Sequence, residues 1–149
     1  MPSNTISIDI RARSEAIFDV VHNYNLRLEW DPFLREARLL DGAKQAATGV
    51  SSRCVARWGA GGAAMETRYV TFSRPDVTAV RMTRGPWFLQ SFAASIRHTQ
   101  ITDDTVRVTY CYNFRARMLA VFIEPIVGWM LRRETTQRLG ALKRWCETA

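Results

Sequence analysis

Residues 118–145 constrain the fold more than any other stretch of the chain. The run opens Met118-Leu119-Ala120-Val121-Phe122-Ile123, passes Glu124-Pro125, and continues Ile126-Val127-Gly128-Trp129-Met130-Leu131 before turning polar and basic at Arg132. Apolar side chains occupy every side of the first half, a pattern that a helix keeps when it is buried all round. In the second half Leu131, Thr135, Leu139, Leu142 and Cys146 recur at helical spacing, while Arg132, Arg133, Arg138, Lys143 and Arg144 lie mostly off that line. The reading is one long C-terminal helix, with a break allowed near Pro125, lying across something apolar. The chain before it reads mainly as strands, so the expected partner is a curved sheet.

Residues 5–10 alternate, with Ile6, Ile8 and Ile10 on one face and Ser7 and Asp9 on the other, which predicts a half-buried strand. Ser14 then offers an N-cap, and Glu15 suits the positive end of a helix that carries Ile17, Phe18 and Val21. A short second helix carries Leu26 and Leu28. Pro32 halts it and biases Asp31 away from helix, so Trp30-Asp31-Pro32-Phe33 is read as a fixed corner. Strands are expected near residues 36–40, 51–58, 65–72, 78–83, 88–99 and 106–114. Turn chemistry joins them at Asp41-Gly42, Gly59 to Gly62, Arg74-Pro75-Asp76 and Asp103-Asp104. Short connections between consecutive strands predict an antiparallel meander. Gly59 to Gly62 lacks the helix and lysine of a phosphate loop and reads as a flexible turn.

A chain of 149 residues is read as one domain over 1–149. Its net charge of +7 favours anionic partners without naming one. The basic residues are scattered, with no reading motif, so nucleic-acid binding is not expected. Cys54, Cys111 and Cys146 are odd in number and far apart; neither a disulfide framework nor a metal site is expected, and no cofactor either. The first residues lack the charged and apolar regions of a signal peptide, and the longest apolar run is too short to span a bilayer. A reducing, cytoplasmic location is the expectation.

Alternation assigns the inward faces. They are Val106, Val108, Tyr110, Tyr112 and Phe114 in the last strand, and Phe92, Ala94, Ile96 and His98 in the one before. In the early strand they are Cys54, Ala56 and Trp58. Phe122, Ile126 and Met130 of the long helix are expected to meet them. The inward set mixes large aromatics with small residues and carries polar tips that need partners once buried. A strongly coiled sheet against one helix leaves a gap between them. Together these point to an apolar pocket with a few convergent polar groups.

Several segments carry a family resemblance: Glu15-Ala16-Ile17-Phe18-Asp19-Val20-Val21, Leu28-Glu29-Trp30-Asp31-Pro32-Phe33, Gly49-Val50-Ser51-Ser52, Gly85-Pro86-Trp87 and the C-terminal helix. Through them the sequence resembles the START-like (SRPBCC) superfamily, its polyketide cyclase/dehydrase-type branch in particular. Ser51 stands where relatives often carry a second glycine. The resemblance implies an α+β helix-grip fold: a curved antiparallel sheet of about seven strands, two short helices and one long C-terminal helix over a deep hydrophobic cavity. It also implies a lipid, polyketide, hormone or quinone ligand. No position matches a catalytic motif of the family.

The expected function is binding of a hydrophobic, partly oxygenated small molecule. Trp58, Phe92, His98, Tyr110, Tyr112, Phe122, Ile126 and Met130 are the expected lining. The alternatives are a cyclase or dehydratase using His98 or Tyr110 for proton transfer, and a lipid or quinone carrier touching anionic membranes through its basic surface. His98 reads as a hydrogen-bonded core histidine or an acid/base group. His22 reads as a structural helix-end cation. Glu124 reads as a first-turn carboxylate, or as one at the pocket entrance paired to Arg115 or Arg117. Glu29 and Asp31 read as surface and turn residues. Trp87, if exposed, becomes a pocket rim or a membrane-touching tip. The oligomeric state is left open.

Overall fold

In the computed structural model, which describes residues 3–148, the strands are β1 (Ser3–Ile10), β2 (Leu34–Leu39), β3 (Ser51–Ala56), β4 (Ala64–Ser73), β5 (Val77–Arg84), β6 (Leu89–Gln100) and β7 (Val106–Ala116). Two short helices, α1 (Ser14–His22) and α2 (Arg27–Trp30), lie between β1 and β2, and α3 (Glu124–Thr148) closes the chain. The single sheet has the order β1-β7-β6-β5-β4-β3-β2, and every neighbouring pair is antiparallel. The expected meander thus runs from β2 to β7, and β1 adds to the free edge of β7. Residues 1, 2 and 149 of the expected domain, and with them the start of the stretch read for a signal peptide, lie outside the described residues.

The register slips at Leu34/Glu36, Glu66/Thr67, Tyr69/Thr71 and Leu89/Ser91. Each slip puts an extra residue into one strand, which bends that strand and increases its twist. The sheet therefore coils into a concave surface, and α3 lies across it. Two clusters fill the ends. Ile10, Ile17, Val21, Val106 and Val108 pack with Leu139 and Leu142 of α3. Leu89, Phe92, Ala94, Tyr112 and Phe114 pack with Val127 near the start of α3. Full burial of each leucine contributes about 1.5–3 kcal/mol, so the stripe Val127, Thr135, Leu139, Leu142 holds the helix down.

The first half of the C-terminal stretch differs from expectation. Residues Met118–Ile123 form 3-10 turns, and the α-helix starts only at Glu124. Three residues per turn put Ala120 and Ile123 on the inner side and leave the rest facing out. Ala120 is fully buried, whereas Met118, Leu119, Val121 and Phe122 are exposed. Pro125 starts the α-helix rather than breaking it, because a first-turn N–H has no partner within the helix to lose. Glu124 accepts from the Ala116 N–H at 3.4 Å, in place of the expected pairing with Arg115 or Arg117.

Two smaller corrections concern caps and turns. Ser14 lies inside α1, with Arg13 in the cap position, and its hydroxyl donates to the Pro75 carbonyl at 3.1 Å, tying the helix to the β4–β5 turn. β3 stops at Ala56, so Trp58 is no strand residue; it begins a 3-10 turn, Trp58–Ala60. Its ring lies over Gly62, where a Cβ would come within 2.6 Å of the indole, and that glycine also has a φ of +66°. The turn read as flexible is thus pinned by an indole over a position that only glycine fits.

Candidate functional site: a hollow under the long helix

A hollow of about 170 Å³ lies between the concave face and α3. Phe92, Ala94 and Ile96 of β6 and Tyr110 and Tyr112 of β7 form its floor; Val127, Met130, Leu131 and Thr135 of α3 roof it. Ser52, Cys54 and Ala56 of β3 and Met65, Thr67 and Tyr69 of β4 close one side. Period-2 alternation brings these side chains to one face. Ala56 and Ala94 stand where larger residues would fill the space, and the bulged, coiled sheet cannot follow a straight helix along its whole length.

Among the polar groups that interrupt the apolar wall, two are extended clusters. In the first, the Tyr24 and Tyr69 hydroxyls are 2.9 Å apart, Tyr69 reaches His22 Nδ1 at 2.8 Å, and His22 Nε2 meets the Thr78 hydroxyl at 3.2 Å. All four residues line the hollow. Burial, helped by the nearby Arg27 and His98, pushes His22 down to about 3. The ring is therefore neutral at ordinary pH, with one nitrogen donating and the other accepting, which replaces the expected helix-end cation. Burial raises Tyr69 well above the ordinary tyrosine value, and Tyr24 beside it adds to this.

The second group is charged. Arg27 Nε donates to Asp31 Oδ2 at 2.9 Å, Arg138 Nε to the same oxygen at 3.0 Å, and the Phe33 N–H to Oδ1 at 3.0 Å. Arg27 also donates to the Val21 carbonyl at 3.1 Å. Asp31 is 2% exposed, so it is a buried anchor and not the surface residue expected. Burial opposes its charge, but Arg138, Arg27 and the Phe33 amide outweigh that and hold the carboxyl below its ordinary value. Burial likewise works against Arg27, yet Asp31 raises it further and keeps it charged. Two guanidinium groups share one carboxylate, and both arginines line the hollow. The cluster carries a net positive charge. Glu29, by contrast, is exposed as expected.

Of the eight expected lining residues, Phe92, Tyr110, Tyr112 and Met130 line the hollow and the other four do not. Trp58 is 75% exposed with Arg35 stacked on it at 3.9 Å, because β3 ends before it. Phe122 and Ile126 are exposed, because the 3-10 segment turns Phe122 outward and the buried stripe of α3 passes through Val127 instead. His98 is buried beyond the floor against Phe18, with ring centroids 5.5 Å apart. Neither of its ring nitrogens has a hydrogen-bond partner, so it is a core histidine without the expected bond. Burial holds it down at about 4, opposed by Asp76.

Tyr112 lines the hollow at 1% exposure, its ring is stacked on Phe92 at 6.2 Å, and its hydroxyl has no partner. Burial raises Tyr112, with Arg132 opposing. Burial likewise raises Tyr110. Both therefore keep their protons and can donate. Among the described residues no group of three or more histidine, cysteine, aspartate or glutamate side chains is placed to hold a metal. Sequence reasoning misses Tyr24 and Tyr69 and gives His22 a different role; only an inward-facing Tyr69 in β4 could have flagged the group.

A sequence model of the family described as "Polyketide cyclase / dehydrase and lipid transport" matches residues 1–147. No curated protein matches the chain. Among solved structures, the Zhui aromatase/cyclase from Streptomyces sp. R1128 superposes with a TM-score of 0.85 at 11% identity, covering 98% of this chain and 93% of that one. A START superfamily protein from Mycobacterium smegmatis has a TM-score of 0.80 at 11% identity over 98% and 97% of the two chains. Ginseng major latex-like protein 151 from Panax ginseng has a TM-score of 0.77 at 11% identity over 97% of each. At these identities the likeness is one of fold: the helix-grip arrangement of a curled antiparallel sheet around a long C-terminal helix.

Proposed function

The chain belongs to the polyketide cyclase/dehydrase and lipid transport family, and from that premise we propose that it binds a hydrophobic, partly oxygenated small molecule of lipid, polyketide or quinone type under α3. The observation that carries this reading is the buried, unpartnered hydroxyl of Tyr112 on the wall of an apolar hollow. An unmet buried hydroxyl costs about 1–3 kcal/mol, and a ligand carbonyl or hydroxyl would recover that. Apolar contacts would supply most of the affinity, about 25 cal/mol per Å² buried before ordering costs. The Arg27–Asp31–Arg138 cluster would favour ligand oxygens that carry partial or full negative charge.

Native mass spectrometry with a panel of fatty acids, quinones and aromatic polyketides tests the reading. One ligand per chain is expected, with Tyr112→Phe weakening oxygenated ligands about 3- to 10-fold through one lost hydrogen bond. Unchanged or tighter binding by that variant would remove the orienting role of Tyr112, and no binding across the panel would remove the function.

A second reading, a cyclase or dehydratase on a polyketide-like carbonyl substrate, is favoured by the Tyr24–Tyr69–His22–Thr78 chain. This chain supplies both a hydroxyl donor and a neutral imidazole to the same wall. It moves the acid/base role from His98, which the hollow does not reach, to His22 and Tyr69. Tyr69→Phe is expected to bind a poly-β-keto substrate as the parent does and to turn it over at least tenfold more slowly. Equal turnover by the two proteins leaves binding as the function.

A further inference from the structure

We infer that the end of the molecule where α3 begins is a docking surface for anionic phospholipid membranes. Antiparallel topology gathers three connections there: β3 to β4, β5 to β6, and β7 to α3. The last two touch directly, through the Arg117 N–H donating to the Phe88 carbonyl at 2.9 Å. Each connection exposes large apolar side chains. Trp58 lies on the first and Trp87, 66% exposed, on the second; Met118, Leu119 and Phe122 lie on the third, at 88%, 87% and 74%. Val121, Ile126 and Trp129 follow, also exposed. Of the eleven large hydrophobic residues exposed among the described residues, these eight share one end, while Leu28, Val70 and Ile101 are scattered. Scattered ones are ordinary; a gathered patch marks an interaction site.

Charge selects the occupant. Arg35, Arg84, Arg115, Arg117, Arg132 and Arg133 are exposed, and none has a carboxylate within 4 Å among the described residues. Of the carboxylates near this end, Glu134 is paired with Arg57 at 2.7 Å and Glu66 with Arg53 at 3.3 Å, while Glu124 accepts from the Ala116 amide. Two copies meeting through this face would bring like charges together, whereas an anionic lipid surface neutralises them, each basic residue near it contributing about 1 kcal/mol. Arg35 stacks on Trp58 at 3.9 Å and Arg133 on Trp129 at 5.4 Å. Indole with guanidinium suits the headgroup boundary. No described helix is long and apolar enough to cross a bilayer, so the contact is peripheral. The same end holds Ala60, Ala63, Pro86 and Phe88, which line the hollow, so docking would bring that side of it to the lipid.

Flotation with phosphatidylcholine vesicles, with and without phosphatidylserine, tests this. Binding is expected only to the anionic vesicles and should be lost at about 1 M salt, where screening acts within about 3 Å. The double variant Leu119→Ser with Phe122→Ser should lose binding at least tenfold, and Arg115→Gln with Arg117→Gln should lose it at low salt. All these side chains are exposed, so circular dichroism should stay unchanged. No flotation overturns the inference, as does flotation equal on neutral vesicles. A concentration-dependent dimer abolished by Phe122→Ser would make a second copy the occupant and also overturn it. Because the readout is vesicle binding, it succeeds or fails independently of ligand uptake by the hollow.

Discussion

Asp31→Asn is expected to lower the unfolding free energy by about 3–5 kcal/mol, the usual loss when one partner of a buried ion pair is removed. The variant keeps the size of the side chain and an acceptor for the Phe33 amide. It removes the negative charge that Arg27 and Arg138 share, both reaching Asp31 Oδ2 within 3.0 Å. Its side chain is 0% exposed, and those of the arginines only 11% and 17%, so bulk water screens the charges little. Asp9→Asn is the control: Asp9 pairs with Arg107 at 2.9 Å, but both are about half exposed, and no measurable change is expected. Urea midpoints of the two variants should separate widely. Equal midpoints would mean that the corner at Asp31 is not the anchor described above.

Acid should begin to destabilise the protein at a pH above the carboxylate range. His22 is held at about 3 and His98 at about 4 in the folded state, against about 6.5 in an unfolded chain. Above that value neither state binds the protons, and the histidines leave stability unchanged with pH. Below it the unfolded chain takes up protons that the folded one refuses, so stability falls as pH falls. The window runs from about 6.5 down to about 4 for His98 and further for His22, and the loss from His98 alone is about 3 kcal/mol. Asp31, held low in the folded state, loses its contribution only as pH falls below the ordinary carboxylate value. His98→Leu removes a buried ring whose nitrogens have no partner. It should be as stable as the parent at neutral pH and less acid-sensitive between pH 6.5 and 4. Stability that stays flat in the parent over that window would contradict the neutral buried histidines.

Strand periodicity carried most of the architecture. The inward faces of β6 and β7 follow from simple alternation, and the second half of α3 follows from its stripe. What alternation could not reveal is where a period changes. Residues 118–123 are apolar throughout, so nothing in their spacing distinguishes α from 3-10 winding, and the bond that ties Arg117 to Phe88 at the start of the segment is a long-range contact that spacing does not show. The same ambiguity misplaced Phe122 and Ile126. Trp58 failed for a related reason, because β3 ends two residues early and turns over Gly62. His22 and Asp31 were misread because their partners, Tyr69, Thr78 and Arg138, are distant in sequence. Burial and pairing of polar residues depend on such contacts, which local sequence does not encode.

Whether the hollow is a binding site is tested most directly by filling it. Ala94 lies on its floor, paired in register with Val80 and Tyr112. Native mass spectra of the parent and of Ala94→Phe should be compared after incubation with whichever panel member the parent retains. Expected is one bound ligand per parent chain and none on Ala94→Phe, with the melting temperature of the unliganded variant equal or higher because the phenyl group occupies empty space. Equal ligand retention by a folded Ala94→Phe would place the ligand elsewhere and contradict a site under α3.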